Sequence, residues 1–380
     1  MRCISPPFAD LTGERAFGGK TMKNMLKRST IVLGLVVCSI FLSIDPSLSA
    51  TDPTRDALVR FADRIIANQL TDGSIVLGDP SFPPFQVVPY FSNLAAHGLM
   101  RAYEITNDPQ YLNAAQSWTV WYLQHQNTDG TIYDFTGTVG HWTPTYDYDS
   151  TDSYASTFLE VAHMVLLYTP ADHPVAQALI RAVPGLLDAQ QLTLQPNGLT
   201  LAKPGYDFAY LEDNVEVYRG MVAAANIPYW DRTGRPDPAW QAEDTRYAIE
   251  TLLFKTRTPA HYVIGMASDG TIEDIANWKR WYPEQQTQLM AVAWLPANAD
   301  RTNLFTYMKG RFYASLPLRI KNETHFDQIV WWAMAAHNVG DTAATRQLIS
   351  KLIVYRPAAA SYNVGLNGHA CRILADSIRE

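Results

Sequence analysis

Residues 146–155, with the sequence YDYDSTDSYA, place three carboxylates and three tyrosines within nine positions and lead directly into an apolar segment. From residue 154 onward, apolar side chains recur at 158, 161, 162 and 165, a spacing that puts them on one face of an α-helix. The acids are therefore predicted to occupy the first turn of a buried helix, where carboxylates cap free N–H groups and face the positive end of the helix dipole. Three acids among tyrosines exceed what a cap requires, which favours a functional site.

The rest of the chain is predicted to be a succession of helices with little sign of strands. The apolar periodicity, together with Pro and Asp at helix starts, predicts twelve of them. Their expected ranges are 52–70, 87–105, 109–126, 149–168, 174–191, 210–226, 238–255, 283–295, 301–314, 323–338, 342–354 and 365–378.

A turn dipeptide recurs once per helix pair. Asp72-Gly73, Asp129-Gly130, Asn197-Gly198 and Asp269-Gly270 each follow an odd-numbered helix and precede an apolar segment, at separations of 57, 68 and 72 residues. One Asp-Gly pair is common in any loop, whereas four in phase with the helices indicate an array of helical hairpins. Glycines well inside the second and sixth helices fit close packing between helices.

Six helical hairpins with acidic starts on alternate helices resemble the six-hairpin glycosidase superfamily over residues 52–380. The resemblance implies an all-α fold, the (α/α)6 toroid, in which the N-terminal ends of the inner helices line a substrate cleft. It points to no particular glycosidase family. The domain organisation expected is a targeting segment at 1–50 and a single catalytic domain at 51–380.

The composition excludes several classes of partner. Without residues 1–50 the chain has 24 Lys and Arg against 34 Asp and Glu, a net charge of about −10, which argues against nucleic acid and anionic membrane surfaces. Two of the three cysteines, Cys3 and Cys38, precede residue 50, and only Cys371 remains after it. No disulfide can therefore form within residues 51–380. We expect a monomer with no metal and no cofactor.

The N-terminal segment has the features of an export signal. A basic start at 22–28 precedes an apolar run at 29–44, and small residues follow up to Ala50. The run is short for a membrane-spanning helix. We expect cleavage after Ala50 and a periplasmic or secreted protein, with an uncleaved anchor as the alternative; residues 1–21 show no pattern and are interpreted as a possible non-native start.

The candidate catalytic residues are carboxylates at the starts of the fourth and sixth helices. Cleavage of a glycosidic bond needs one protonated and one ionised carboxyl group. Asp152 is the first choice and Asp213 the second, with Asp149 as a charged neighbour and Glu212 as the alternative to Asp213. Because consecutive helical residues diverge by about 100°, only one of Glu212 and Asp213 is expected to point inward, and the sequence leaves the acid and base roles open.

Aromatic and polar residues near the inner-helix starts are predicted to bind the substrate. Aromatic rings stack on the apolar faces of sugars, while amides and carboxylates bind hydroxyls. The predicted set is Asn93, Trp142, Tyr146, Tyr148, Tyr210, Asn214, Trp278, Trp281, Glu284 and His325.

The leading hypothesis is an exported glycoside hydrolase that acts on a poly- or oligosaccharide and is expected to invert the anomeric centre. One alternative is a polysaccharide lyase on the same toroid, using Tyr146 or His141 as base and an amide or Arg219 to neutralise a uronate. A hydrolase of unsaturated uronyl ends is related to it. The last alternative is a non-catalytic toroid that binds glycan or a partner protein and cleaves no bond.

Overall fold

The computed structural model describes residues 52–227, 237–356 and 363–379, and these ranges contain the twelve predicted helices. The predicted export signal lies outside them. The helices are α1 (Pro53–Ala67), α2 (Pro89–Thr106), α3 (Pro109–His125), α4 (Thr151–Tyr168), α5 (Pro174–Gln191), α6 (Leu211–Ala225), α7 (Pro238–Ala248), α8 (Gln286–Trp294), α9 (Ala299–Phe312), α10 (Glu323–Asn338), α11 (Thr342–Val354) and α12 (Val364–Arg379).

The even-numbered helices form a closed inner ring. Each packs against the next, from α2 through α4, α6, α8 and α10 to α12, and α12 packs against α2. The odd-numbered helices lie outside, for example α1 against α12 and α7 against α6. This arrangement is the (α/α)6 toroid, so the predicted all-α fold class is confirmed.

Small residues allow the inner helices to approach closely. A methyl group built on Gly98 of α2 would lie 2.5 Å from the Cα of Gly368 on α12. One built on Gly220 of α6 would lie 2.6 Å from the Cα of Ser156 on α4. Any larger side chain at these positions would force the helices apart, because close-packed interiors have no space to absorb it.

The four Asp-Gly or Asn-Gly turns share one conformation. Gly73, Gly130, Gly198 and Gly270 have φ values of 91°, 86°, 89° and 88°, which only glycine adopts without strain. In each turn the preceding Asp or Asn side chain accepts a hydrogen bond from the backbone N–H two residues later. The predicted hairpin repeat is therefore confirmed in atomic detail.

Eight short strands occupy the loops of the part of the chain that the structure describes, which corrects the expectation of almost none. They are β1 (Phe85–Val87), β2 (Phe135–Thr138), β3 (His141–Pro144), β4 (Ala209–Tyr210), β5 (Phe254–Lys255), β6 (His261–Tyr262), β7 (Gly265–Met266) and β8 (Ile272–Glu273). They form sheets β1-β2-β3, β4-β7-β8 and β5-β6. The first two sheets connect loops that precede inner helices and so build up the side of the ring where those helices begin.

Most helix boundaries differ from prediction by a few residues, and three of the differences have a clear structural cause. Helix α4 begins at Thr151, because the Ser150 side chain caps it, and not at residue 149. Helix α7 ends at Ala248 and continues as a π-helical turn, Ile249–Leu253, before β5. A second π-helical turn, Trp281–Gln285, precedes α8. None of the helices within the described ranges has both the length and the apolar character that a membrane crossing requires.

Candidate active site

The starts of α4 and α6 bring two predicted acids together. The Ser150 hydroxyl lies 2.5 Å from Oδ1 of Asp152 and 3.1 Å from Oδ2 of Asp213. A serine hydroxyl carries one proton and cannot donate fully to two carboxylates. The pair is therefore best satisfied when one of the two acids is protonated, as in other closely spaced carboxyl pairs.

Asp152 is enclosed by the protein. Its side chain is fully buried, and it also accepts hydrogen bonds from the backbone N–H of Ser153 at 2.9 Å and from the Thr200 hydroxyl at 2.6 Å. Burial raises the pKa of Asp152 to about 6, although the hydrogen bonds from Ser150 and Thr200 oppose the rise. With both oxygens occupied, the carboxyl group has no open face for a sugar.

Asp213 is the more accessible member of the pair, with 8% of its surface exposed. Burial raises its pKa well above the usual range, and the nearby negative charges of Asp152 and Glu212 raise it further. An environment that raises the pKa of a carboxyl group favours its protonated form, which is the form required of a general acid.

Glu212 belongs to the same cluster, because its charge acts on Asp213. The hydroxyl of Tyr282 donates a 2.7 Å hydrogen bond to its Oε1, and the carboxylate is half-buried. Burial raises the pKa of Glu212 to about 7; the Tyr282 hydrogen bond lowers it, and the charge of Asp149 adds to the rise. Both Glu212 and Asp213 therefore reach the space between the inner-helix starts, in contrast to the expectation that only one would.

A third acid comes from α10. Trp281 Nε1 donates a 2.7 Å hydrogen bond to Oδ2 of Asp327, and Oδ1 of Asp327 has no partner among the described residues. Burial raises the pKa of Asp327 to about 7, partly offset by the Trp281 hydrogen bond, and the charges of Glu323 and Glu212 contribute. Trp281 thus positions an acid, and its contact with substrate stays a prediction.

Two acids of the cluster were missed in the sequence. Glu216, one turn after Asp213 on α6, is buried and accepts a 2.7 Å hydrogen bond from the Tyr90 hydroxyl. Asp134 accepts one at 2.9 Å from the Tyr154 hydroxyl, and burial raises its pKa to about 6. The three-residue spacing from Asp213 could have identified Glu216, whereas Asp134 lies in a loop without a pattern.

Two predicted sugar-binding amides hold the ring together instead. Asn93 is buried, donating to the backbone carbonyl of Tyr154 and to the Thr157 hydroxyl while accepting from Trp118 Nε1. Asn214 is buried as well. It exchanges hydrogen bonds with the backbone of Thr200 and donates to the carbonyl of Tyr210. These bonds use the amide donors and acceptors, which gives both side chains structural partners, and substrate binding by Asn93 and Asn214 stays a prediction that this placement does not favour.

Glu284 is also placed differently from the expectation. Its side chain is buried and forms a two-pronged ion pair with the Arg280 guanidinium. Burial alone would raise the pKa of Glu284, but the hydrogen bonds from Arg280 outweigh it and the pKa is lowered. A carboxylate already satisfied by an arginine fork is poorly suited to bind sugar hydroxyls.

The predicted aromatic residues divide between the loops and the core. Trp278 packs against Tyr307 and Phe312 next to the outer helix α9, which indicates a structural role. Trp142 of β3 donates a hydrogen bond to Asp72.

The remaining residues stay candidates for sugar contacts. Tyr146 is 77% exposed, Tyr148 stacks on Tyr133, Tyr210 shares a hydrogen bond with Tyr206, and half-buried His325 lines a cavity of about 750 Å³ at the start of α10.

Comparison with known proteins supports the fold. No family model matches the chain, and no curated protein sequence matches it. A D-mannose isomerase structure is 11% identical, with a TM-score of 0.62, and the match covers 88% of this chain and 99% of that one. An unsaturated glucuronyl hydrolase specific for heparin is 9% identical, with a TM-score of 0.61 and coverage of 86% and 97%.

A third similar structure is an inactive variant of the alpha-1,6-mannanase GH76A of Salegentibacter sp. HEL1_6, in complex with alpha-1,6-mannotetrose. It is 11% identical, with a TM-score of 0.58, and the match covers 86% of this chain and 99% of that chain. Two consecutive aspartates are replaced by alanine in that variant. At these identities the likenesses establish a shared fold, the (α/α)6 toroid that the resemblance implied, and they determine no particular family.

Proposed function

We propose that the protein is a glycoside hydrolase whose reacting carboxyl groups are Asp213 and Glu212. The observation that carries this proposal is the pair of consecutive acids on the first turn of α6, both with raised pKa and both directed into one cluster. A glycosidase needs a carboxyl group that stays protonated until it assists the leaving group and another that ionises near neutrality. The similar mannanase is described as inactive when two consecutive aspartates are replaced.

Asp213 takes the role of general acid in this proposal. Burial and the charge of Asp152 raise the pKa of Asp213 and so favour the protonated form that this role needs. Asp152, which has no open face, is a positioning residue in this scheme: it raises the pKa of Asp213 and orients it through the shared Ser150 hydroxyl. Asp152 of α4 was the first choice from the sequence, and the proposal gives the catalytic role to Asp213 on α6, the next inner helix.

Glu212 is assigned as the base that activates water. It ionises near pH 7, is more accessible than Asp213, and is held by the Tyr282 hydroxyl. Turnover is therefore expected to rise as the pH increases through about 7, where Glu212 loses its proton, and to fall at higher pH, where Asp213 deprotonates. A pH–rate profile measures both limbs, and activity that is greatest well below pH 5 would contradict the assignment.

The exported location, the monomeric state and inversion remain parts of this proposal. Inversion follows if a water molecule occupies the space between the acid and the base, since direct attack by a carboxylate would instead retain the configuration. Nuclear magnetic resonance of the first-formed anomer distinguishes the two outcomes.

The lyase alternative finds less support in the site. Asn93 and Asn214 are fully engaged in the ring, and Arg219 lies in the C-terminal half of α6, paired with Glu160. Hydrolysis of an unsaturated uronyl end remains the second candidate, because a hydrolase of that kind has the same fold over 86% of this chain.

One screen tests these functions together. The mature chain is incubated with a panel of neutral and uronate-containing glycans, and reducing ends are measured alongside absorbance of the conjugated double bond. New reducing ends with unchanged absorbance indicate hydrolysis, loss of absorbance from unsaturated substrates indicates the second candidate, and a gain indicates a lyase.

Matched variants connect the activity to the site. Asp213→Asn and Glu212→Gln are each expected to reduce kcat by at least about 100-fold, within the range for losing a general acid or base. The control is Asp300→Asn, which removes an exposed first-turn acid from the outer helix α9. Near-normal turnover in either site variant, with an unchanged fold, would refute the assignment.

A further inference from the structure

A second cavity lies at the other end of the inner ring. Its volume is about 540 Å³, and its lining comes from the middle and C-terminal parts of α2, α4, α6, α8, α10 and α12. The acids Asp152 and Asp213 lie on the first turns of their helices. The cavity is therefore separate from the candidate active site, and a ligand bound in it need take no part in the proposed hydrolysis.

Two arginines on the cavity wall share one carboxylate. Arg219 of α6 donates to Oε1 of Glu160 at 2.5 Å, and Arg372 of α12 lies 3.4 Å from Oε2 of the same residue. Arg372 and Glu160 are nine-tenths or more buried. One carboxylate can balance only one of the two charges, so this group retains about one uncompensated positive charge in a poorly solvated position.

The remaining donors of the two guanidiniums face no described acceptor. Glu160 is the one hydrogen-bond partner of either side chain among the described residues, whereas a guanidinium has five N–H donors. Both guanidiniums also lie 4.9 Å from the ring centre of Trp294, which lines the cavity. The arginines are thus fixed in place with unused donors.

A histidine in the cavity adds a polar contact without adding charge. His97 is 7% exposed and lines the cavity, and its Nδ1 has no hydrogen-bond partner within the described ranges. Burial lowers the pKa of His97 well below its usual range, and the charges of Arg372 and Arg219 lower it further, so the ring is neutral at pH 7. A neutral imidazole can donate to or accept from a hydroxyl group.

We propose that this cavity binds a small hydroxylated carboxylate, of the size of a sugar acid, with its carboxylate on Arg219 and Arg372. Arginine forks match the two oxygens of a carboxylate. A single negative charge would balance the one excess positive charge, whereas a dianion would add repulsion from Glu160, Asp376 and the carbonyl ends of the inner helices. The volume accommodates a monosaccharide, and the polar lining provides partners for its hydroxyls.

Calorimetric titration of the mature chain tests the site with three probes: sodium glucuronate, glucose and inorganic phosphate. Glucuronate is expected to bind. Glucose, which is neutral, and phosphate, which has no planar carboxylate, are expected to bind at least about tenfold more weakly. Absence of glucuronate binding, or equal binding of the neutral sugar, would overturn the proposal. Preferred binding of phosphate would overturn the choice of a carboxylate.

Variants locate the binding. Arg219→Gln removes one fork and is tolerated because the side chain is 24% exposed, while Ala293→Leu fills the cavity and leaves every charge in place. Each is expected to weaken glucuronate binding at least about tenfold. The matched control Arg246→Gln removes an ion-paired arginine from outer helix α7 and should leave affinity unchanged.

Asp213→Asn separates this cavity from the active site. Unchanged glucuronate affinity in that variant, together with loss in Arg219→Gln or Ala293→Leu, supports the second site. Loss of binding in Asp213→Asn with retention in both cavity variants would place the ligand among the acids and overturn the inference.

Discussion

Replacing Glu212 by glutamine is expected to stabilise the protein at alkaline pH while abolishing its proposed activity. Glutamine keeps the side-chain oxygen that accepts the 2.7 Å hydrogen bond from Tyr282 but removes the charge. The folded protein raises the pKa of Glu212 from about 4.5 to about 7, because burial disfavours the carboxylate. Proteins often lose stability through charges held for function, and removing such charges restores it.

The size of the effect follows from proton linkage. Below about pH 4.5 Glu212 is protonated in both folded and unfolded chains and costs nothing. Between 4.5 and 7 only the unfolded chain releases the proton, so stability falls as the pH rises. Each pKa unit corresponds to about 1.4 kcal/mol, which sets an upper limit of about 3 kcal/mol above pH 7. Solvent screening of this half-buried group reduces the expected gain in Glu212→Gln to about 1–2 kcal/mol.

Urea unfolding of wild type and Glu212→Gln at pH 4.5 and pH 8.5 measures the difference. We expect equal free energies of unfolding at pH 4.5 and a more stable variant at pH 8.5. Glu284→Gln is a control of opposite sign, because Arg280 lowers the pKa of Glu284; it should lose about 1–3 kcal/mol at pH 8.5 and less at low pH. Equal stability of Glu212→Gln and wild type at both pH values would refute the electrostatic reasoning.

Two further changes probe the ring and the acid pair. Gly220→Ala is expected to cost about 1–3 kcal/mol in urea unfolding, because its methyl group would meet Ser156. Gly185→Ala serves as the control and should be neutral or stabilising, because its methyl group would lie 3.9 Å from the nearest atom. Equal losses of unfolding free energy in the two variants would contradict the close-packing argument. Ser150→Ala removes a hydrogen bond that lowers the pKa of Asp213, so the alkaline limb of the pH–rate profile should move to higher pH, and a shift to lower pH would contradict the pairing. Loss of its cap to α4 should also cost about 0.5–2 kcal/mol.

The overall fold could be predicted because its signals are local. Apolar spacing within each helix, proline and aspartate at helix starts, and the Asp-Gly turns are properties of a few neighbouring residues. Gly73 and its three counterparts show this directly, since each requires a positive φ wherever the rest of the chain lies. The short strands were missed because pairs such as Ala209–Tyr210 and Gly265–Met266 become strands only when the loops meet.

The candidate site was predictable only as a set of residue types at helix starts. The sequence placed Asp152, Asp213 and Glu212 on neighbouring inner helices, because carboxylates at those positions follow from the hairpin repeat. Their protonation states depend on burial and on the separation of charges, which the tertiary structure fixes. Asn93 and Asn214 are of a residue type that often binds sugars, but their hydrogen-bond partners come from other helices and loops.

The sequence alone therefore determined the helices, their order and the side of the ring on which the acids gather, since these follow from backbone preferences and periodic burial. The tertiary structure decided which carboxyl group remains open, which one shares the Ser150 hydroxyl and which pair of arginines faces a cavity. Hydrogen bonds and electrostatic interactions between residues distant in sequence depend on positions to within an ångström or so, and no local pattern specifies those positions.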